Sequence, residues 1–217
     1  MGAFVGRLIV LTGLVAAMVG GGVTPGWAES VLTRGNGAEP STLDPHSTDG
    51  RSESNIFRDL FEGLVVYGPS GQILPGVAEA WELSDDSTVY TFHLRADAKW
   101  SDGGALTAED FAYSLRRAVA PRPGSEPAAN LAVIRNADAV MKGEKPATEL
   151  GVEAVDPRTL KITLRGPTPY FLALLSSDNS ALPVNRAAVE AGGAHWAEPG
   201  TLVSNGPYQL VDRKSVV

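Results

Sequence analysis

The chain has 217 residues, 43% of them hydrophobic and 20% charged, a globular composition that can bury a sizeable core in one large domain or two small ones. Its 18 Lys+Arg stand against 25 Asp+Glu for a net charge of -7, and an acidic chain without a basic block is not suited to nucleic acid as its main partner. It has no cysteine, which excludes disulfides, thiolate nucleophiles, Cys-based metal sites and the lipid-modified Cys of a bacterial lipoprotein.

The first segment reads as an address. Arg7 carries its only charge, an apolar stretch runs from Leu8 to Val19, Gly20-Gly21-Gly22 breaks it, and Pro25-Gly26-Trp27-Ala28 follows. That order matches the three regions of a secretory signal peptide, with cleavage expected after Ala28. A retained membrane anchor is disfavoured because the apolar run is short of the roughly 20 residues a span requires. Residues 1–28 are therefore expected to leave, and the mature protein to be soluble and exported.

Val31-Leu32-Thr33-Arg34 reads as a first strand, and Asp44-Pro45 opens a turn because a residue before proline avoids the helical region. From Ser52 the apolar positions Ile56, Phe57, Leu60, Phe61 and Leu64 have helical spacing, with Gly63 as the expected C-terminal cap. A short strand is expected at Leu64–Tyr67. A hairpin is expected from Trp81–Leu83 and Val89–Leu94, with Asp85-Asp86-Ser87 at its tip and Tyr90, Phe92 and Leu94 on one face. Thr107 should cap a helix with Asp110 completing a capping box, and Phe111, Leu115, Ala118 and Val119 form its apolar stripe.

A second helix is predicted over Ala128–Met141, then a hairpin from Val152–Val155 and Leu160–Leu164 turned by Asp156-Pro157-Arg158. Short helices are expected at Tyr170–Leu175 and Ala187–Ala191, and a last strand at Tyr208–Val211. Mixed strands and helices with antiparallel hairpins imply an α/β or α+β fold, not a doubly wound nucleotide fold.

Motifs for catalysis are missing: there is no His-Glu-x-x-His, no Gly-x-Ser-x-Gly and no phosphate-binding glycine loop. His46, His93 and His195 fall in three unrelated segments without metal-ligand spacing. The Asp85-Asp86 pair belongs to a solvated turn, and Glu109-Asp110 to a helix first turn where the dipole favours negative charge. Trp81 and Trp100 flank strands and are expected in the core rather than on a ligand platform. No enzyme activity, cofactor or metal is expected.

Several runs are similar, in order and spacing, to the family 5 extracellular solute-binding proteins. They are Gly37-Ala38-Glu39-Pro40-Ser41-Thr42-Leu43-Asp44-Pro45-His46, Glu53 to Leu64, Pro75 to Trp81, Thr91 to Arg95, Lys99 to Gly103, Thr107 to Phe111, Lys145 to Val152 and Ser204 to Tyr208. Within the family the chain resembles the oligopeptide-binding subgroup. The resemblance implies a type II periplasmic binding protein fold: two lobes that close on the ligand, with an inserted accessory domain. Lobe one would take 29–61 and 187–211, the accessory domain 62–186, and the second lobe would lie beyond this sequence.

It further implies a periplasmic, monomeric component of an ABC importer that holds oligopeptides by backbone pairing, as an added strand would, and passes them to permease subunits in the inner membrane. Asp49, Gly50 and Arg51 are the ligand-binding residues it assigns, although Arg51 departs from the smaller apolar residue of the pattern. The aromatic contact expected after the Thr107 helix is not evident in Gly124-Ser125-Glu126-Pro127, and the acidic group for the peptide's α-amino charge belongs to the second lobe. A peptide receptor or sensor, or a binder of dipeptide, nickel or haem on the same scaffold, is the alternative. The final residues 212–217 break the family pattern. They can be encoded by GAT CGG AAG AGC GTC GTG, a string similar to a sequencing adapter, and are expected to be an assembly artefact, with a real truncation or frameshift as the alternative.

Overall fold

The largest apolar cluster forms between a four-stranded antiparallel sheet and one long helix. The structure, a computed structural model, describes residues 35–48 and 50–211. The expected signal peptide, the expected strand at Val31–Arg34, Asp49 and the tail 212–217 lie outside the described residues. Gly35 onward forms one compact unit.

Helix α1 spans Arg51–Leu60, and the hairpin β1 (Val65–Tyr67) and β2 (Ile73–Pro75) follows. Strands β3 (Ala78–Leu83), β4 (Val89–Leu94), β5 (Val152–Asp156) and β6 (Thr159–Thr163) make the larger sheet in the order β3-β4-β6-β5. Both hairpins fall where the alternation places them, and β4 buries Tyr90, Phe92 and Leu94 on one face.

Helix α2, Ala108–Val119, packs over β5 and β6 and buries Phe111, Leu115, Ala118 and Val119. Its start is the expected capping box: the Thr107 N–H donates to Asp110 Oδ2 at 2.8 Å and the Thr107 hydroxyl to the same oxygen at 2.9 Å. Three short helices complete the set: α3 (Ala137–Met141), α4 (Phe171–Ser177) and α5 (Arg186–Gly192).

A second, smaller apolar cluster gathers Leu43, Phe57, Leu60, Phe61, Val184, Trp196 and Ala197. Its members come from two distant parts of the chain, and Tyr113 of α2 packs against it from the larger one. The chain's return is fixed at Ser204–Tyr208. Asn205 brackets Glu62, its Oδ1 accepting from the Glu62 N–H at 3.1 Å and its Nδ2 donating to the Glu62 carbonyl at 2.8 Å. The Gly206 N–H donates to the Leu60 carbonyl at 2.8 Å. A Cβ at Gly206 would fall 2.5 Å from the Leu60 carbonyl carbon, so only glycine permits this approach.

Three expectations are corrected. The helix predicted over Ala128–Met141 is a 3-10 turn at Ala129–Val133, a single β-bridge from Ile134 to Leu164, and the short α3. Leu131, Ile134 and Ala137 are buried as their spacing suggested, but left-handed Asn136 at φ 67° breaks the helical path. α1 ends at Leu60, before Gly63, because Phe61 turns extended; Phe61 and Leu64 are still buried, as non-helical residues. No strand forms at Tyr208–Val211, where the Tyr208 N–H instead meets the Asp59 carbonyl at 3.1 Å.

Thr107→Ala should lower stability by about 1 kcal/mol through loss of the cap. Urea unfolding followed by circular dichroism measures this, with the slope of the transition unchanged.

Candidate functional site

The assigned ligand segment sits where the turn after Asp44 runs into α1. Asp44 folds that turn over itself, as an Asp before proline often does: its carboxylate accepts from the His46 N–H at 2.9 Å and the Ser47 hydroxyl at 3.0 Å. Arg117, in the last turn of α2, grips the same carboxylate in a two-pronged contact at 3.0 and 2.6 Å. Both side chains are nearly buried, at 10% and 11% exposure, and the guanidinium lies 5.5 Å over the Trp196 ring. Burial pushes the Asp44 carboxyl up, but the hydrogen bonds and charge of Arg117 outweigh it and hold the group well below the usual carboxylate range.

Arg117 Nη1 also lies 2.9 Å from His46 Nδ1. An arginine can only donate, so Nδ1 accepts, and Nε2 carries the ring proton that it donates to the Leu182 carbonyl at 3.0 Å. Burial first, then the neighbouring Arg117 charge, pushes the imidazole down to about 4. The His46 carbonyl accepts from Arg122 Nη2 and from the Ser125 hydroxyl, both at 2.8 Å. The turn 44–48 and the loop after α2 are therefore stapled through one peptide oxygen.

The start of α1 is held by Glu53. Its Oε1 accepts from the Ser41 N–H at 2.8 Å and hydroxyl at 3.0 Å, and its Oε2 from the Ser52 hydroxyl at 2.6 Å. The Ser52 bond leads the lowering of this carboxyl to about 2. A Cβ at Gly50 would lie 2.1 Å from Glu53 Oε2, so a larger residue here would push the Glu53 carboxylate off its bonds.

A groove of about 920 Å³ opens beside these elements, lined by His46 to Thr48, by Gly124 to Asn130, by residues between 170 and 180, and by Ser54 and Tyr67. Hydrogen bonds tie its walls together: Asn179 Nδ2 donates to Ser54 Oγ at 2.8 Å, and Asn130 Nδ2 to Asp178 Oδ2 at 2.8 Å. Such cross-links make a pre-formed recess, as ligand sites usually are.

Of the residues assigned from sequence, Asp49 lies outside the described residues. Gly50 is the N-cap of α1, extended at φ -60° and ψ 143°. Its N–H already donates to Thr48 Oγ1 at 3.1 Å, and its carbonyl accepts from Ser54 N at 2.9 Å and Ser54 Oγ at 2.8 Å. Arg51 is the exposed first residue of α1, so its amide has no acceptor within the helix. Neither Gly50 nor Arg51 lines the groove. Sequence reasoning missed Arg117, Arg122 and Ser125. The Asp-Pro-His run was a signal for a partner, but its cations lie more than 70 positions away (|i−j|=73 and 76). His93, on the sheet, is a half-buried partner of Glu82 at 3.5 Å, and among the described residues no group of three or more His, Asp or Glu could hold a metal ion. No helix among the described residues is long and apolar enough to cross a membrane.

Residues 72–216 match the model of the bacterial extracellular solute-binding proteins, family 5 Middle. The chain belongs to this family. It is 46% identical, over 95% of its own length and 40% of the relative's, to the periplasmic oligopeptide-binding protein OppA of Escherichia coli K12. It is also 46% identical, over 81% of its length and 32% of the relative's, to the periplasmic murein peptide-binding protein MppA of the same strain. Among solved structures it superposes on Haemophilus influenzae OppA in complex with RPPGFSPFR with a TM-score of 0.78 at 42% identity, covering 82% of this chain and 35% of that one. The fold is that of the type II periplasmic binding proteins, of which the chain covers part. It spans two fifths or less of the length of these curated relatives. The family 5 proteins matched here are binding proteins rather than enzymes.

Two tests follow from the buried cluster. Because the His46 pKa falls from 6.5 to about 4 on folding, the unfolded chain binds the extra proton, and the contribution of this ring is full above pH 6.5 and is lost as pH falls to about 4. The loss should be on the order of 3 kcal/mol; urea midpoints of wild type and His46→Gln, taken from pH 8 to 4, should converge across that window. Arg117→Met removes the two-pronged partner of Asp44 and leaves only Arg122, 3.8 Å away, so it should cost about 3 kcal/mol, the low end for a broken buried pair, while adding Asp44→Asn should recover part of the loss in the same unfolding assay.

Proposed function

We propose that this protein is the periplasmic substrate-binding component of an ABC importer that captures oligopeptides and hands them to a membrane permease. Residues 1–28 serve as the export signal, 29–61 with 187–211 form part of the first ligand-binding lobe, and 62–186 form the accessory domain. The protein acts as a monomer, by non-covalent capture, with no chemical step.

The observation that carries this reading is the recess of about 920 Å³ whose walls include the turn leading into Gly50 and Arg51. A stapled, cross-linked recess next to an extended segment and a helix-start amide that has no acceptor within its helix suits an extended peptide main chain. The names of the relatives support the ligand class, and the structural relative holds the peptide RPPGFSPFR. Asp49 and Arg51 supply the backbone pairing, since both polar groups of Gly50 are already used within the chain.

A proline at position 51 tests this. The first helical position tolerates proline, and Gly50 already has the extended geometry required before one. In protein made from the full reading frame that carries this chain, Arg51→Pro should bind peptides about tenfold more weakly than Arg51→Ala in calorimetry, because only the proline removes the amide donor. Equal affinities would remove Arg51 from the site, and no binding of any oligopeptide would remove the function.

A further inference from the structure

Arg122 does not line the groove, yet its guanidinium is bonded to two of the walls. The tight turn after α2 explains how. The Ser125 N–H donates to the Arg122 carbonyl at 3.3 Å, the two residues form a β-bridge, and Gly124 takes the left-handed φ of 74° that closes the turn. The Ser125 hydroxyl is thereby folded back against the Arg122 side chain and accepts from its Nη2 at 3.0 Å. Nε of the same guanidinium donates to the Arg117 carbonyl at 3.0 Å, which ties the turn to the end of α2.

Two donors of this turn converge on one atom. Arg122 Nη2 and the Ser125 hydroxyl both reach the His46 carbonyl at 2.8 Å, which occupies both lone pairs of that oxygen. His46 to Thr48 form one wall of the groove and Gly124 to Asn130 another, so the spacing of these walls is set by a side chain that lies outside the groove. Arg117 fixes the 44–48 turn through Asp44 and the His46 ring; Arg122 and Ser125 fix it relative to the loop. A displacement at His46 would be passed along the chain. The Ser47 N–H is bonded to the Asp44 carbonyl at 3.0 Å, and the Thr48 hydroxyl accepts from the Gly50 N–H at 3.1 Å, so the turn is stiff up to the start of α1. A lysine at 122 would keep the charge but has a single nitrogen in place of the fork that meets Arg117, His46 and Ser125 together.

We propose that Arg122 is a positioning residue for peptide capture: through the His46 carbonyl it sets the segment at Gly50 and Arg51 against the loop 124–130, without touching the ligand itself. The inference rests on the peptide-binding reading and on main-chain pairing at Arg51, and adds to it the side chain that holds that segment in place.

The test is calorimetry on protein from the full reading frame with two peptides, pentaalanine and the RPPGFSPFR held by the structural relative. Arg122→Lys should weaken both to the same degree, about 3- to 10-fold, the equivalent of roughly one hydrogen bond, because it acts on the main chain. Thr107→Ala, which loses its cap at the other end of α2, should bind as wild type does and so separates positioning from a general loss of stability. A double-mutant cycle with Arg51→Pro gives the deciding readout. Once the Arg51 amide is gone, Arg122→Lys should cost little more, and the double variant should bind nearly as Arg51→Pro does. Ser125→Ala removes the other donor to the same carbonyl and leaves Arg122 in place. It should show a smaller loss that also vanishes beside Arg51→Pro, and it carries the test if Arg122→Lys does not fold. Unchanged affinity in both the Arg122 and Ser125 variants, an equal loss in Thr107→Ala, or losses that multiply in the cycle overturn the positioning role while peptide capture stands. Wild-type protein that binds neither peptide overturns both.

Discussion

The Asp44–Arg117 pair is the contact on which the site depends. It is a short, two-pronged bond between nearly buried groups, so it is poorly screened by solvent and strict in geometry. One partner belongs to the turn that feeds the smaller apolar cluster; the other belongs to the helix that packs on the larger sheet. Trp196 under the guanidinium and His46 beside it close the pair off from water. Because the same turn carries on into Gly50 and α1, the position of the start of α1 is inherited from α2, which is itself fixed by the sheet.

Rigidity is distributed unevenly around this joint. Glu53 gathers Ser41 and Ser52 at the start of α1, and Arg122 with Ser125 pins the His46 carbonyl, so the turn is held from two sides. The groove walls are instead joined by single amide contacts such as Asn179 to Ser54. The frame is thus fixed by charge and the recess by lighter contacts.

Local pattern carried much of this fold into the sequence. The hairpin of β3 and β4, the box at Thr107 and the stripe on α2 each arise within a few residues, and each reads directly from spacing. Where a non-local contact intervenes, the pattern misleads: Leu131, Ile134 and Ala137 keep helical spacing although Ile134 is bridged to Leu164 and Asn136 turns left-handed. The ligand segment was reached through resemblance to a family, not through chemistry, and the groups that hold it were illegible because their partners lie in other parts of the chain.

The return of Ser204–Tyr208 onto Asp59–Glu62 has a consequence for how the molecule is made. In the larger sheet β3-β4 and β5-β6 are local hairpins and the β4-β6 pairing joins Val89 to Thr163, so it can close once Thr163 has been made. The smaller cluster cannot: Glu62 meets Asn205 across 143 positions, and His46 meets Leu182 across 136. Contacts of such separation are slow to form, since the loop must close before they contribute anything. The segment that leads into Gly50 and α1 is thus synthesised early and completed late.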